Sequence, residues 1–209
     1  MDVHAIATFL SEHYFTVKDD DNILNTCIVH IVMLNYKLLY YVTIGRRIMK
    51  SCFFIGHREA DERLLPVLQS VIQQLIEEEG VTEFYVGGYG GFDRIAGAAV
   101  KQLKAQYPRI SLRIMIPYHP AERPVEAPNG YDGTYYPDGL EGVPRRFRIA
   151  RANRIMIDTS DWLIAYVCHG ASNSRKLLEY AERKEKKGML RIVNVAVTEI
   201  EKSMNRKNP

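Results

Sequence analysis

The sequence is short of the features that assign a protein quickly. Its charges nearly balance, with a formal net charge of +3, so electrostatics permit a nucleic-acid partner without requiring one. Its three cysteines, Cys27, Cys52 and Cys168, are odd in number, far apart and without metal-ligand spacing. They read as reduced, mostly buried thiols of a cytosolic protein, not as a disulfide frame or a metal site. The first residues are mixed and acidic rather than basic then apolar, so they give no secretory signal. No Gly-Lys-Ser/Thr closes a glycine loop, which rules out a Walker A loop, and the Gly-x-Gly-x-x-Gly dinucleotide fingerprint is missing too. No nucleophile with a partner base and no metal cluster is legible, and no cofactor is expected.

What is present is an ordinary globular composition. The 209 residues are 46% apolar and 25% charged, enough for one substantial core, or one domain with an appendage. Three parts are expected: an N-terminal extension over 1–48, an α/β domain over 49–200, and a polar tail over 201–209. The extension contains a polar break at Asp19-Asp20-Asp21-Asn22 and then an apolar stretch, 27–45, that approaches membrane-spanning length. His30, Asn35 and Lys37 interrupt it, and polar groups at mid-bilayer are costly. Arg46-Arg47 follows, as a cytoplasmic flank would. Three readings stay open: a true span, a strand or helix added to the core, or a natural start at Met49 with a mis-assigned upstream start codon. No firm membrane assignment follows, and the domain itself is expected in the cytoplasm.

From Met49 on, the pattern is regular. Residues 51–55 form a continuous β-favouring run, as suits a strand covered on both faces. A helix carrying Leu64, Leu65, Leu68, Val71, Ile72, Leu75 and Ile76 on one face follows and stops at Gly80. A second strand, Phe84-Tyr85-Val86, leads into Gly87, Gly88, Gly90 and Gly91, and the apolar spacing then turns helical to Leu103. Strands are expected at 112–116, 162–167 and 192–197, with helices starting at Pro144 and after the turn at 169–174. Between the third strand and Pro144 lies a long irregular segment, 117–143, holding Tyr118, Tyr131, Tyr135 and Tyr136. These tyrosines either close over a site or anchor the loop to its own domain. Strands alternating with helices predict a Rossmann-like α/β fold, a parallel sheet with helices on both faces.

Ligands in such sheets bind beyond the carboxyl ends of the strands. That rule sends Gly56-His57-Arg58, the 87–93 loop, Tyr118-His119 and the 169–173 turn to one edge. Glycines let a ligand approach the backbone closely, and a helix N-terminus offers unpaired N–H groups and a positive dipole end. Gly87, Gly88, Gly90 and Gly91 are therefore candidate phosphate contacts through their amides. Arg58 is a candidate charge-assisted donor, against the plainer reading of a salt bridge to Glu59 or Asp61. Asp93, in the first helical turn, either caps the helix or accepts from a ligand hydroxyl. Gly56, His57, Tyr118, Arg151, Asn153, Ser172 and Asn173 complete the candidate ligand-binding set, with His57 read as a turn residue rather than a catalyst.

These motifs carry a family resemblance. Gly56-His57-Arg58 resembles the Gly-Ser-Arg turn of the DNA-processing protein A (DprA/Smf) Rossmann domain. Gly91-Phe92-Asp93 lies over that family's Gly-Ile-Asp. Both belong to the SLOG superfamily (Smf/DprA and the LOG proteins). The chain most resembles short YpsA-like SLOG proteins, through those two segments, through Arg151-Ala152-Asn153-Arg154 with Asp158-Thr159-Ser160-Asp161, and through Leu178-Glu179-Tyr180-Ala181. The resemblance implies a SLOG fold over about 49–197 and a nucleotide or nucleotide-derived ligand. The LOG phosphoribohydrolase motif departs here: its catalytic Glu falls on Arg94, so that activity does not transfer.

Three functions follow in order. The first is binding of a nucleotide-like small molecule, such as an ADP-ribose-like ligand, at the sheet edge. The second is a hydrolase acting on an N-glycosidic or phosphate bond of such a ligand, with Asp93, His119, Glu122 and Asp158 as candidate acid–base groups and the enzyme question left open. The third is DprA-like single-stranded DNA binding through the arginines of 145–154 and the nearby tyrosines. A homo-oligomer is compatible with all three.

Overall fold

The computed structural model describes residues 49–168 and 170–196. The expectations for the N-terminal extension, for His169 and for the chain from 197 onward lie outside the described residues. A six-stranded sheet organises the rest, in the spatial order β4-β3-β2-β1-β5-β6. Its strands are β1 (Lys50–Gly56), β2 (Val81–Val86), β3 (Ser111–Met115), β4 (Gly133–Tyr135), β5 (Trp162–Tyr166) and β6 (Arg191–Asn194). Every pairing is parallel. The helices are α1 (Leu64–Glu77), α2 (Gly91–Leu103), α3 (Arg145–Thr159) and α4 (Asn173–Glu185). The fold is Rossmann-like α/β, as the alternation predicts.

The period of two along β1 builds both halves of the core. Cys52 and Phe54 face one layer with Leu68, Ile72, Phe92, Ile95 and Val100, so α1 and α2 cover that face. Phe53 and Ile55 face the other with Ala152, Met156, Leu178 and Ala181, so α3 and α4 cover the second. A strand buried on both sides must be apolar at every position, which is why 51–55 reads as an unbroken run. Cys52 lies in this core, where burial pushes its thiol far up. Cys168 is exposed, against the expectation of mostly buried thiols.

One element differs from the sequence reading. The long segment before Pro144 contains a short edge strand, β4, which pairs with β3 in parallel (Ile114 with Thr134). Its three residues include a glycine and carry no apolar run, so periodicity gives no signal. On α4 the ion pair at helical spacing is Arg175 with Glu179, 3.1 Å.

The order of the strands locates the crevice. From β1 the chain builds outward through β2, β3 and β4, then returns by α3 to the other side of β1 to lay down β5 and β6. The turns leaving β1 and β5 therefore diverge to opposite faces. The gap between them is the topological switch point, where open parallel sheets bind ligands. Among the described residues no helix is long and apolar enough to cross a membrane.

Candidate functional site

A cavity of about 360 Å³ opens at that switch point, in the size range of small-molecule sites. Four separate stretches line it. The end of β1 supplies Gly56, His57 and Arg58, the loop after β2 supplies Gly87, Tyr89, Gly90 and Asp93, α3 supplies Ile149 and Asn153, and the start of α4 supplies Ser172, Asn173 and Ser174. Nine of the residues expected in a ligand site from the sequence stand together here. Gly88 lines a neighbouring cavity with Gly87, Gly90 and Asp93. Gly91, Tyr118 and Arg151 line neither.

The glycines are there because backbones and side chains crowd together. A Cβ on Gly56 would stand 2.4 Å from the Phe92 ring, and one on Gly91 would stand 2.6 Å from the Arg58 carbonyl oxygen. Phe92 is fully buried and stacks on Tyr166, with 5.7 Å between centroids, so α2 is pressed against the ends of β1 and β5. A Cβ on Gly87 would come 2.8 Å from an Asp93 carboxylate oxygen. The loop thus folds tightly over its own acid.

That packing narrows the expected row of free amides. The Gly91 N–H donates to the Arg58 carbonyl at 2.7 Å, and the Tyr89 N–H donates to Asp93 Oδ2 at 3.1 Å. Asp93, third residue of α2, reaches back over the helix start as the acidic half of a capping box. Both readings of Asp93 therefore meet in one place: it caps, and it lines the cavity. What α2 leaves without an intrahelical acceptor are the amides of Phe92 and Asp93, and α4 likewise leaves those of Asn173 and Ser174. Ser172 caps α4 by accepting from the Arg175 N–H at 3.1 Å. Two positive helix ends thus flank one cavity.

Arg58 is exposed and lines the cavity, and among the described residues no carboxylate pairs with it. Asp61 is taken by Arg63, at 2.7 Å, which sets aside the local salt bridge. His57 is a tie between turns: its Nε2 accepts from the Cys168 N–H at 3.0 Å and its own N–H donates to the Tyr166 carbonyl at 3.2 Å. Ser174, which sequence reasoning missed, donates its hydroxyl to the Gly56 carbonyl at 2.7 Å and pins α4 to β1. Its only signal was its place in a turn of small polar residues. Asn153 donates Nδ2 to the Ile149 carbonyl at 3.0 Å, one turn back on α3.

Burial pushes the Asp93 carboxyl up to about 6, against the backbone N–H groups of Tyr89 and Gly90, which favour its charged form. The other acid–base candidates sit elsewhere. Asp158 accepts from the Tyr180 hydroxyl at 2.7 Å and pairs with Lys184 at 2.7 Å, and Glu122 pairs with Arg148 at 2.6 Å. Burial pushes the Asp158 carboxyl up, but Lys184 and Tyr180 together outweigh it and hold it below the usual range, and Arg148 does the same for Glu122. His119 Nδ1 accepts from the Ala121 N–H within its own turn.

The tyrosines of the long segment mostly anchor it. Tyr135 packs on Tyr85 with ring centroids 4.9 Å apart, and Tyr136 meets His119 at 5.3 Å. Tyr118 lies under three guanidinium groups, Arg123, Arg145 and Arg148, each 5.8–5.9 Å from its ring centre. Arg154 covers Tyr180 at 5.5 Å. The first two turns of α3 bury little: Arg145, Arg146, Phe147, Ile149 and Arg151 are all exposed.

The fold is similar to that of two solved proteins. One is DNA processing protein A (DprA) from Streptococcus pneumoniae, at 20% identity and a TM-score of 0.48, over 66% of this chain and 48% of that one. This chain thus spans about half that protein's length. The other is DNA processing protein A from Helicobacter pylori, described for its single-stranded DNA binding mode, at 15% identity and a TM-score of 0.42, over 77% of this chain and 83% of that one. No curated protein matches. The model of the YspA SLOG family matches residues 42–128. That stretch contains both Gly56-His57-Arg58 and the 87–93 loop, and over it the SLOG resemblance carried by those motifs is borne out.

Proposed function

We propose that this protein binds a nucleotide or nucleotide-derived ligand, such as an ADP-ribose-like molecule, at the C-terminal edge of the sheet, as a cytoplasmic small-molecule binder. The observation that carries the reading is the convergence of Arg58, which has no ion-pair partner among the described residues, and two helix N-termini on one switch-point cavity. All three favour an anion, and the amides at the helix starts give a phosphate several donors at once. Arg58 adds a charge-assisted bond. Asp93 stands at the same wall as an acceptor for a sugar hydroxyl. The test is thermal unfolding of the full chain against a panel of nucleotides and NAD derivatives, with Arg58→Ala beside it. A ligand specific to the folded state raises the melting temperature. The reading expects a shift that Arg58→Ala weakens at least tenfold in apparent affinity, and no shift across the panel sinks it.

One observation favours a second reading, a hydrolase for the N-glycosidic or phosphate bond of such a ligand. Asp93 is a cavity carboxyl with an affinity for protons near neutrality, which suits a general acid or base. Release of free base or ribose phosphate that Asp93→Asn abolishes would support it. A third, single-stranded DNA binding, rests on the exposed Arg145, Arg146 and Arg151 beside exposed Phe147. It predicts binding that weakens steeply with salt.

A further inference from the structure

A second cavity, about 480 Å³, lies on the other side of the Asp93 carboxyl, between α2 and the segment leading into β4. It shares Gly87, Gly90 and Asp93 with the first, so a ligand can run from one to the other past a single acid. We propose that this second cavity takes the heterocyclic base of the ligand whose phosphate occupies the first, with the sugar crossing at Asp93. The proposal rests on the nucleotide-binding reading and specifies the ligand as one carrying a base.

The two cavities differ in charge. Of the second's cations, Arg94 is neutralised by Glu62 at 2.6 Å, and Lys101 is drawn to the rim by donating from Nζ to the Asn129 carbonyl at 3.0 Å. Arg58 in the first has no such partner among the described residues. Phosphate is therefore drawn to the first cavity and an uncharged group is left for the second. Shape agrees. Gly88, Gly97, Ala98 and Ile114 give the cavity a low, largely apolar lining, and Tyr131 bounds it with its hydroxyl end against Gly97. Gly97 is required for that contact, since a Cβ there would stand 2.0 Å from the Tyr131 hydroxyl. A flat ring fits against a low apolar lining and an aromatic side chain, and stacking of this kind accepts any base. Asn129 and Gln102, whose Oε1 accepts from Gln69 Nε2 at 2.6 Å, also line the cavity and are the polar groups that could contact a base edge.

Calorimetric titration of the full chain separates the parts, with adenosine 5′-monophosphate and ribose 5-phosphate as probes. Ala98 is half-buried in the cavity lining, so Ala98→Leu fills the second cavity without touching the first. Wild type is expected to bind the nucleotide at least tenfold tighter than the sugar phosphate. Ala98→Leu should remove that advantage and leave ribose 5-phosphate binding unchanged. As a check independent of the variant, amide NMR shifts at Gly97, Ala98 and Tyr131 should move with the nucleotide and stay still with the sugar phosphate. Equal binding of both probes to wild type, or shifts at these amides that are the same for both, overturns the base site while leaving the phosphate site standing. If neither probe nor any nucleotide of the panel binds wild type, the nucleotide-binding reading fails first and the base site goes with it.

Discussion

Glycine does opposite jobs at the inner rim of the sheet and at the outer turns. At the rim, Gly56, Gly87, Gly88, Gly90 and Gly91 have ordinary backbone angles, and a Cβ on any of them would meet a neighbour within 3.4 Å. At the outer turns, Gly80, Gly139, Gly142 and Gly188 have positive φ, and a Cβ would meet nothing within 4 Å. The outer glycines serve the turn, and the rim glycines serve space. A ligand site built from crowded backbone is rigid by construction, because each close approach fixes the next.

The comparison is broken most directly by Gly56→Ala. The added methyl would stand 2.4 Å from two ring atoms of Phe92, a fully buried side chain that cannot swing aside. Overpacking of a tight core costs about 1–3 kcal/mol, and the loss here is expected at the upper end of that range. Urea unfolding should show the midpoint drop with an unchanged slope. A loss under about 1 kcal/mol would mean the rim yields more easily than ordinary core packing allows.

Asp93→Asn should act in the opposite direction. The wild-type carboxyl rises from its ordinary 3.8 to about 6 on folding, mainly through burial. The folded protein therefore holds this proton more tightly than the unfolded chain does. Its stabilising contribution is complete below about pH 4 and is lost as pH rises through about 6. At about 1.4 kcal/mol per pH unit, the loss reaches about 2–3 kcal/mol by pH 7. Asparagine keeps an acceptor for the Tyr89 N–H and carries no charge. It should be more stable than wild type at pH 7, and the difference should close near pH 4. A variant gap that does not change between those two pH values would show that Asp93 carries no burial penalty. A carboxyl kept at such a cost in a cavity wall, beyond what capping the helix requires, is the pattern that the proposed ligand role of Asp93 predicts.

The fold was legible because β1 is apolar at every position and the helices after it are apolar on one face. Those two periods place the strand ends, and the strand ends place Arg58, Asp93 and Ser172 on one rim. The partners were not legible. That Gly91 gives its N–H to Arg58, or that Ser174 reaches the Gly56 carbonyl, depends on how α2 and α4 press on the sheet, and spacing along the chain carries no trace of it. β4 was missed because an edge strand of three residues needs no apolar run. The second cavity was invisible for a similar reason: Ala98 and Gln102 are unremarkable helix residues until Tyr131 comes down on Gly97 and encloses a space beside them.

Gly80→Ala tests the outer half of the comparison. Its φ of +71° disfavours any side chain, yet nothing stands near it. The cost should be that of the left-handed backbone alone, about 1–2 kcal/mol. Gly80→Asn should recover part of it, because asparagine tolerates this region. No recovery by asparagine would point to a hidden contact and blur the distinction between the two groups of glycines.

The smallest effect is expected at the start of α3, the open periphery in its extreme form. Arg146 and Arg151 are exposed and belong to no ion pair among the described residues, and Phe147 beside them is 51% exposed. Changing both arginines to alanine should move stability by less than about 0.5 kcal/mol, as exposed substitutions do. If this helix end touches a nucleic-acid backbone, the same double variant should lower the salt dependence of single-stranded DNA binding, by about 0.7 in log–log slope for each phosphate it no longer neutralises. An unchanged slope at unchanged stability would leave those arginines as a solvated helix end. The proposed anion binding would then rest on Arg58 and the two helix starts alone.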